Sequence, residues 1–337
     1  MLKCGGNKSY TENLEERLLK IRRFILGRDE ADWVELENAI SRMRPEYGPW
    51  ATVEEFRDYE KWPEFDSEGR FIAELDGNPV GIVHAHVDKL REEKRGFIDW
   101  FGVIPEHRGR GIEEKLAETA IKELKNRGMK VVQSCVHGEP EEVIRMWKNM
   151  GFKLIRKGSL MTKELAGLPN VGGNMEVELK SLSRESDEDL GTLNALHNEC
   201  FKEHFLWRPK PLGTTVYLVR DIAHTHMAPF LAKQGWWFAL SGEKHVGYVG
   251  ATIDENLNTA KGTKIGWIFS IGVLKPYRKT GIGTRLILHG MNFLKDNGMT
   301  TAMLGVDDWN LTKAKQLYEK VGFREVWKQS FYEKSIA

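Results

Sequence analysis

Two periodicities alternate along the chain. Short runs in which apolar residues recur at every second position predict strands, and longer runs in which they return every three or four positions predict amphipathic helices. Phe71–Asp88 reads as two β-rich stretches around the turn Asp76-Gly77-Asn78, and Trp237–Asp254 as two more around Ser241-Gly242-Glu243. Both are hairpin signals. Trp267–Val273 predicts a buried strand, followed by a proline-containing turn and a helix that Gly298 terminates; Phe101–Val103, a similar turn and Gly128 repeat the series earlier in the chain. Each half then continues with another strand, another helix and a closing hairpin. Helical spacing also predicts helices near Glu30–Arg42 and Asp187–Glu203, and a charged leader helix over Glu12–Ile21.

The repetition is a tandem duplication. Corresponding hairpin positions (Val80-Gly81 and Val246-Gly247) lie 166 residues apart. The glycine-led helix starts (Gly111, Gly281) and the helix-ending glycines (Gly128, Gly298) lie 170 apart, and Gly151-Phe152 precedes Gly322-Phe323 by 171. Chance similarity would not hold register over that length. Residues 166–174 are glycine-rich, carry one proline and show no apolar periodicity, so they read as a linker. The predicted organisation is a leader over 1–20, a first unit over 21–165, the linker, and a second unit over 175–337. Alternating strands and helices make each unit α/β, or α+β with a mixed, largely antiparallel sheet flanked by helices.

Composition narrows the function. The 337 residues carry a formal net charge of +1, which argues against a general polyanion binder, so no nucleic-acid partner is expected. Cys4, Cys135 and Cys200 are odd in number and far apart, so no disulfide framework follows. No apolar run approaches membrane-spanning length and the first residues lack a signal-peptide core. A cytoplasmic protein without a membrane partner is the expectation. The pairs His84/His86 and His224/His226 lack a convincing third ligand, and no metal is expected.

The chemistry concentrates in Ser270–Thr284, SIGVLKPYRKTGIGT. A buried strand ends at Val273, and a helix opens after Arg278-x-x-Gly281-x-Gly283. A helix start entered through glycines presents unpaired amides and the positive end of the helix dipole, an anion site suited to a pyrophosphate. Arg278, Lys279, Thr280, Gly281, Ile282, Gly283 and Thr284 are its candidate residues. Glycine at 281 and 283 lets a ligand approach the main chain, and Lys279 adds charge. A dinucleotide fingerprint would need a third glycine that this run lacks. The first copy, FGVIPEHRGRGIE, carries Glu113 at the place of Gly283.

The Arg-x-x-Gly-x-Gly run after a strand and a proline turn resembles the acetyl-CoA motif of the GCN5-related N-acetyltransferases. Asn310–Phe323, NLTKAKQLYEKVGF, resembles the family's Asn…Tyr-x-x-x-Gly-Phe signature. The resemblance covers both halves, and the two-copy layout is similar to that of the mycothiol synthases within the family. It implies acetyl-CoA as co-substrate and a primary amine, on a small molecule or a peptide, as acceptor. It implies that the main chain at Ile271, Gly272 and Val273 receives the pantetheine arm and polarises the thioester. It further implies that Asn310 caps the last helix of the second half and contacts the pantetheine, and that Tyr318 protonates the departing thiolate. The second half would be catalytic and the first silent, since Glu113, Trp147 and Glu139 stand where Gly283, Tyr318 and Asn310 stand in the second. The fourth strand of the second half carries no carboxylate, which leaves Glu199, Glu203, His204, Asp307, Asp308 or a water chain as routes for the amine proton. A non-catalytic acyl-CoA-binding or regulatory module is the rival reading. Trp207, Trp236, Trp237 and Trp309 are candidates for an apolar acceptor pocket.

Overall fold

The computed structural model describes residues 19–41, 52–61, 66–89, 91–138, 140–168, 177–221 and 233–337. Most of the leader, most of the linker, Cys4, Glu139, His224 and His226 lie outside these residues. Leu19–Ile21, read from sequence as the end of the leader helix, instead begin a strand. Leu19 and Ile21 pack on the first core, and main-chain pairing with the next strand overrides the helical period.

The first half runs β1 (Leu19–Arg23), α1 (Glu30–Ser41), α2 (Val53–Tyr59), β2 (Arg70–Leu75), β3 (Asn78–Val87), β4 (Arg95–Val103), α3 (Ile112–Asn126), β5 (Val131–His137), α4 (Glu141–Asn149) and β6 (Lys153–Glu164). The second runs β7 (Glu178–Ser181), α5 (Asp187–Phe201), α6 (Leu212–Val219), β8 (Lys233–Ser241), β9 (Lys244–Ile253), α7 (Glu255–Lys261), β10 (Ile265–Val273), α8 (Ile282–Asp296), β11 (Thr301–Asp307), α9 (Ala314–Lys320) and β12 (Arg324–Ser335). From β4 and β10 onward the halves match element for element. The change of offset from 166 to 170 falls at α7, whose first turn Asp254 caps by accepting the Leu257 amide at 2.8 Å. The two hairpins form as read. In the first, Asp76 and Gly77 both take positive φ, 53° and 80°, the two-residue turn whose twist suits antiparallel strands.

The twelve strands of the described residues join one sheet in the order β1-β2-β3-β4-β5-β12-β6-β11-β10-β9-β8-β7. Only β4–β5 and β10–β11 are parallel; the other pairs are antiparallel, as expected. The expected closing hairpins do not occur. Each half ends in a single twelve-residue strand that leaves its own half: β6 pairs with β11 along Thr301–Asp307, and β12 pairs with β5 along Val131–His137. Gly158 continues the β6 strand, opposite Asp307 and Gln329. The long partner strand supplied by the other half makes a local reversal unnecessary. Hence neither sequence unit completes its own sheet.

Helices cover both faces, leaving two apolar clusters per half. In the second half α8 packs Ile282, Leu286, Ile287, Met291 and Leu294 against one face, and α5 and α6 pack Leu190, Leu193, Leu196 and Val219 against the other. Alternation along β8 sends Trp237 to the α8 side, against His289 and Phe293, and Trp236 to the α5 side, against Tyr248 and Phe269.

Candidate functional site

The site is built where β10 and β11 part. These parallel strands pair only from Ile265–Trp267 with Thr301–Met303, after which β10 stays on β9 and β11 stays on β6. A bulge at Phe269 shifts the β10–β9 register at the same point. The result is a splayed slot with β10 main chain along one wall. The Leu274 amide bonds the Val246 carbonyl at 2.9 Å, on the β9 side. Strand alternation therefore places Gly272 on the β9 side and turns the amides of Ile271 and Val273 toward the slot.

The glycine loop closes one end of this slot. Gly281 takes φ 92° at the start of α8, and Lys279 takes φ 65°, a conformation few non-glycine residues adopt. The first intrahelical bond runs from the Arg285 amide to the Gly281 carbonyl, so the amides of Ile282, Gly283 and Thr284 lie outside the helix ladder. A Cβ on Gly283 would come to 3.1 Å from Leu317 Cδ2. Arg278 serves the loop from behind. Its Nε donates to the Val273 carbonyl at 3.0 Å, its Nη2 to the Cys200 carbonyl, and its Nη1 pairs with Glu203 at 2.9 Å. Thr280 is likewise committed, its hydroxyl donating to the Tyr277 carbonyl at 2.7 Å. The charge left to face an anion is that of Lys279, which is exposed.

Tyr318 lies on α9 with Ala314 and Leu317, and with Val321 just after the helix, on the face turned to the core. The ring is buried against Phe323, and burial pushes its hydroxyl up to about 12, so it is protonated at neutral pH. Asn310 corrects the reading that it caps α9. The helix begins after Lys313, whose φ is 57°, and Asn310 instead closes its own turn by accepting the Thr312 amide at 2.7 Å. Its side-chain amide meets His204 Nε2 at 2.9 Å.

The carboxylates suggested for the amine proton are engaged elsewhere. Glu203 is bound by Lys275 and Arg278, which hold it below the usual carboxylate range, and Glu199 pairs with Lys202. Asp307 takes Arg156 in a two-pronged pair, and Asp308 takes Ser159, Lys315 and Lys328. The polar groups at the bulge are others. Ser270 Oγ lies 2.8 Å from the Tyr248 hydroxyl, which lies 2.8 Å from His197 Nδ1. Burial, with Lys210 and His204 nearby, lowers the His197 pKa to about 3, leaving an uncharged ring. This chain borders a small pocket walled by Leu193, Leu218, Trp236 and Phe269, the last 44 % exposed. Of the four tryptophans proposed for an acceptor pocket, Trp236 lines this one. Sequence reasoning gave no role to Tyr248 or Ser270, although each breaks an otherwise apolar strand.

The first copy keeps the frame and fills the site. The Phe101 and Trp147 rings meet 5.2 Å apart where Ile271 and Tyr318 stand in the second half, and Trp147 is fully buried. The Glu113 carboxyl is half-buried with its Oε2 unpartnered, and burial, the largest effect, raises its pKa. His84 contacts the Glu68 carbonyl and His86 contacts Asp99, each at about 3 Å. No group of three His, Cys, Asp or Glu placed to hold a metal occurs among the described residues. Among them, no helix is long and apolar enough to cross a membrane.

A model of the acetyltransferase (GNAT) family matches residues 33–152 and again 193–323. The chain belongs to that family. As a GNAT protein it is one of a family that takes acetyl-CoA as co-substrate. A mycothiol acetyltransferase of Actinosynnema mirum is 26% identical over 269 residues, covering 79% of this chain and 83% of that protein. One from Thermomonospora curvata is 32% identical over 132 residues, 39% of this chain and 43% of that protein, so the match spans less than half of the relative. Among solved structures, a tandem GNAT protein from the clavulanic acid biosynthesis pathway has a TM-score of 0.70 at 14% identity, over 95% of this chain and 99% of that one. A GCN5-related N-acetyltransferase from Sphaerobacter thermophilus reaches 0.68 at 18% identity, over 94% and 96%. At such identities these likenesses show the tandem fold.

Proposed function

We propose that the second half transfers an acetyl group from acetyl-CoA to a primary amine and that the first half is catalytically silent. The observation that carries this reading is the slot between β10 and β11, with turned-out amides on one wall and the glycine loop at its end. The same position in the first half is packed with Phe101 and Trp147. The amides of Ile282–Thr284 and the Lys279 ammonium would meet the diphosphate. The β10 main chain would pair with the pantetheine arm, and its amides would sit where oxyanion charge develops.

The amine enters from the α5 side at the bulge and attacks the thioester carbon. Ser270 Oγ accepts a hydrogen bond from the amine. As the C–N bond forms and the C–S bond breaks, the amine proton passes along the Ser270 and Tyr248 hydroxyls and through the uncharged His197 ring to solvent. The Tyr318 hydroxyl gives its proton to the departing sulfur, and solvent restores it. Holding the two reactants side by side supplies much of the acceleration. The relatives' acceptor is not carried over, because the pocket residues rather than the fold select it.

Release of CoA thiol that depends on both protein and amine tests the reading. Binding of acetyl-CoA without turnover of any primary amine would favour a non-catalytic acyl-CoA-binding protein. Within the proposed reaction, Tyr248→Phe breaks the relay at its centre. It is expected to lower kcat/KM for the amine about tenfold, roughly the worth of one buried hydrogen bond, with the acetyl-CoA Kd unchanged. Isothermal titration beside initial rates checks both parts.

A further inference from the structure

The first half reaches into the second at several side chains, Ser159 and Arg156 of β6 among them. Arg156 lies on β6, which the exchange of terminal strands sets beside β11. Its Nε donates to both Asp307 oxygens at 2.9 and 3.0 Å, and its Nη2 to Asp307 Oδ2 at 2.7 Å and to the Trp309 carbonyl at 3.0 Å. The guanidinium also stands 5.0 Å from the Phe205 ring centre and 5.8 Å from that of Trp309.

The contacts continue along the loop after β11. Asp307 Oδ1 accepts the Trp309 amide at 2.9 Å, and the Asp307 carbonyl accepts the Asn310 amide at 3.2 Å. Asn310 then holds Thr312 with its oxygen and meets His204 with its amide. Little core burial restrains this loop: Trp309 is 48% exposed and Leu311 77%. It follows the strand that has parted from β10, so β10 gives it no support. Asp308 ties its start to the Lys157 carbonyl, Ser159, Lys315 and Lys328, and the polar chain from Arg156 through Asp307 is the restraint that runs on to Asn310.

We propose that Arg156 is a positioning residue: the catalytically silent half supplies the guanidinium that sets Asn310 and His204 at the wall of the second half's slot. The inference rests on the reading that Asn310 faces the pantetheine arm of acetyl-CoA. It gives the first half a use that its filled slot does not. The planar fork is required, because a lysine offers one compact charge and can neither grip both carboxylate oxygens and the Trp309 carbonyl nor stack between two rings.

The test is acetyl-CoA affinity, by isothermal titration on the full chain, together with Tm. The variants are Arg156→Ala, Arg156→Lys, Asp307→Asn, Asn310→Ala and the double variant Arg156→Ala/Asn310→Ala. Arg156→Ala is expected to weaken binding about tenfold, Arg156→Lys to recover little of it, and Asp307→Asn to lose a similar factor. Because Arg156 acts through Asn310, the double variant should bind no more weakly than Asn310→Ala alone. A purely structural ion pair would lower Tm without this coupling. Multiplied losses in the double variant, or unchanged affinity in Arg156→Ala, would overturn the proposal. If removing Arg156 prevents folding, the same comparison between Asp307→Asn and Asp307→Asn/Asn310→Ala decides it. Normal affinity in Asn310→Ala would also overturn it, while leaving acetyl-CoA in the slot. No binding by the unaltered protein would remove the acetyltransferase reading with it.

Discussion

Replacing Gly283 with glutamate is expected to abolish measurable acetyl-CoA binding at micromolar protein. Two effects add. A Cβ at this position already meets Leu317 Cδ2 at 3.1 Å, which is tight packing that a longer side chain aggravates. The carboxylate would then stand beside a diphosphate. One like-charge pair about 5 Å apart costs about 3 kcal/mol at an effective dielectric near 20, or about a hundredfold in Kd. The first half already carries this change: Glu113 occupies the matching position, its carboxyl half-buried. Titration of the variant, with Tm as a control for folding, checks the prediction. A Kd within threefold of the unaltered protein would move the diphosphate away from this loop.

Tyr318→Phe should act on the other side of the reaction. The ring is buried in the second half's core, so phenylalanine keeps the packing and removes only the hydroxyl. A positioned general acid contributes about 10²- to 10⁴-fold. The expected result is a fall in kcat of at least about a hundredfold with the acetyl-CoA Kd nearly unchanged. Equal falls in kcat for amines of high and low basicity would fit protonation of the common leaving thiolate. Unaltered turnover would remove Tyr318 from the chemistry and return it to the core.

Much of this was legible in the sequence because it depends on local spacing. The glycines at 281 and 283, the strand before them and the helix face of Tyr318 are all set within a few residues of one another. The duplication was legible for a related reason: a repeated pattern of turn and cap residues survives even where Glu113 replaces a glycine. Contacts between distant segments were not legible. Nothing in the run around Gly158 indicates that β6 crosses to β11, since a strand's sequence records which faces are buried and not which edge it joins. The roles of Arg156 and Asp307 follow from that crossing, so they were hidden with it. Ser270 and Tyr248 gave a faint signal, as polar residues inside apolar strands, but their meeting with His197 needed the β9–β10 pairing and α5 together. Asn310 was misread as a helix cap because its turn and α9 are separated by Lys313, whose left-handed backbone no sequence rule anticipates.

The measurement that bears most directly on the proposed division of labour is the stoichiometry of acetyl-CoA binding to the unaltered full chain, by isothermal titration calorimetry. One molecule bound per chain, with that site lost in Gly283→Glu, is the predicted result. Two molecules per chain, or one that persists in Gly283→Glu, would contradict it by giving the first half a working site. An absence of binding would contradict the assignment of the slot itself.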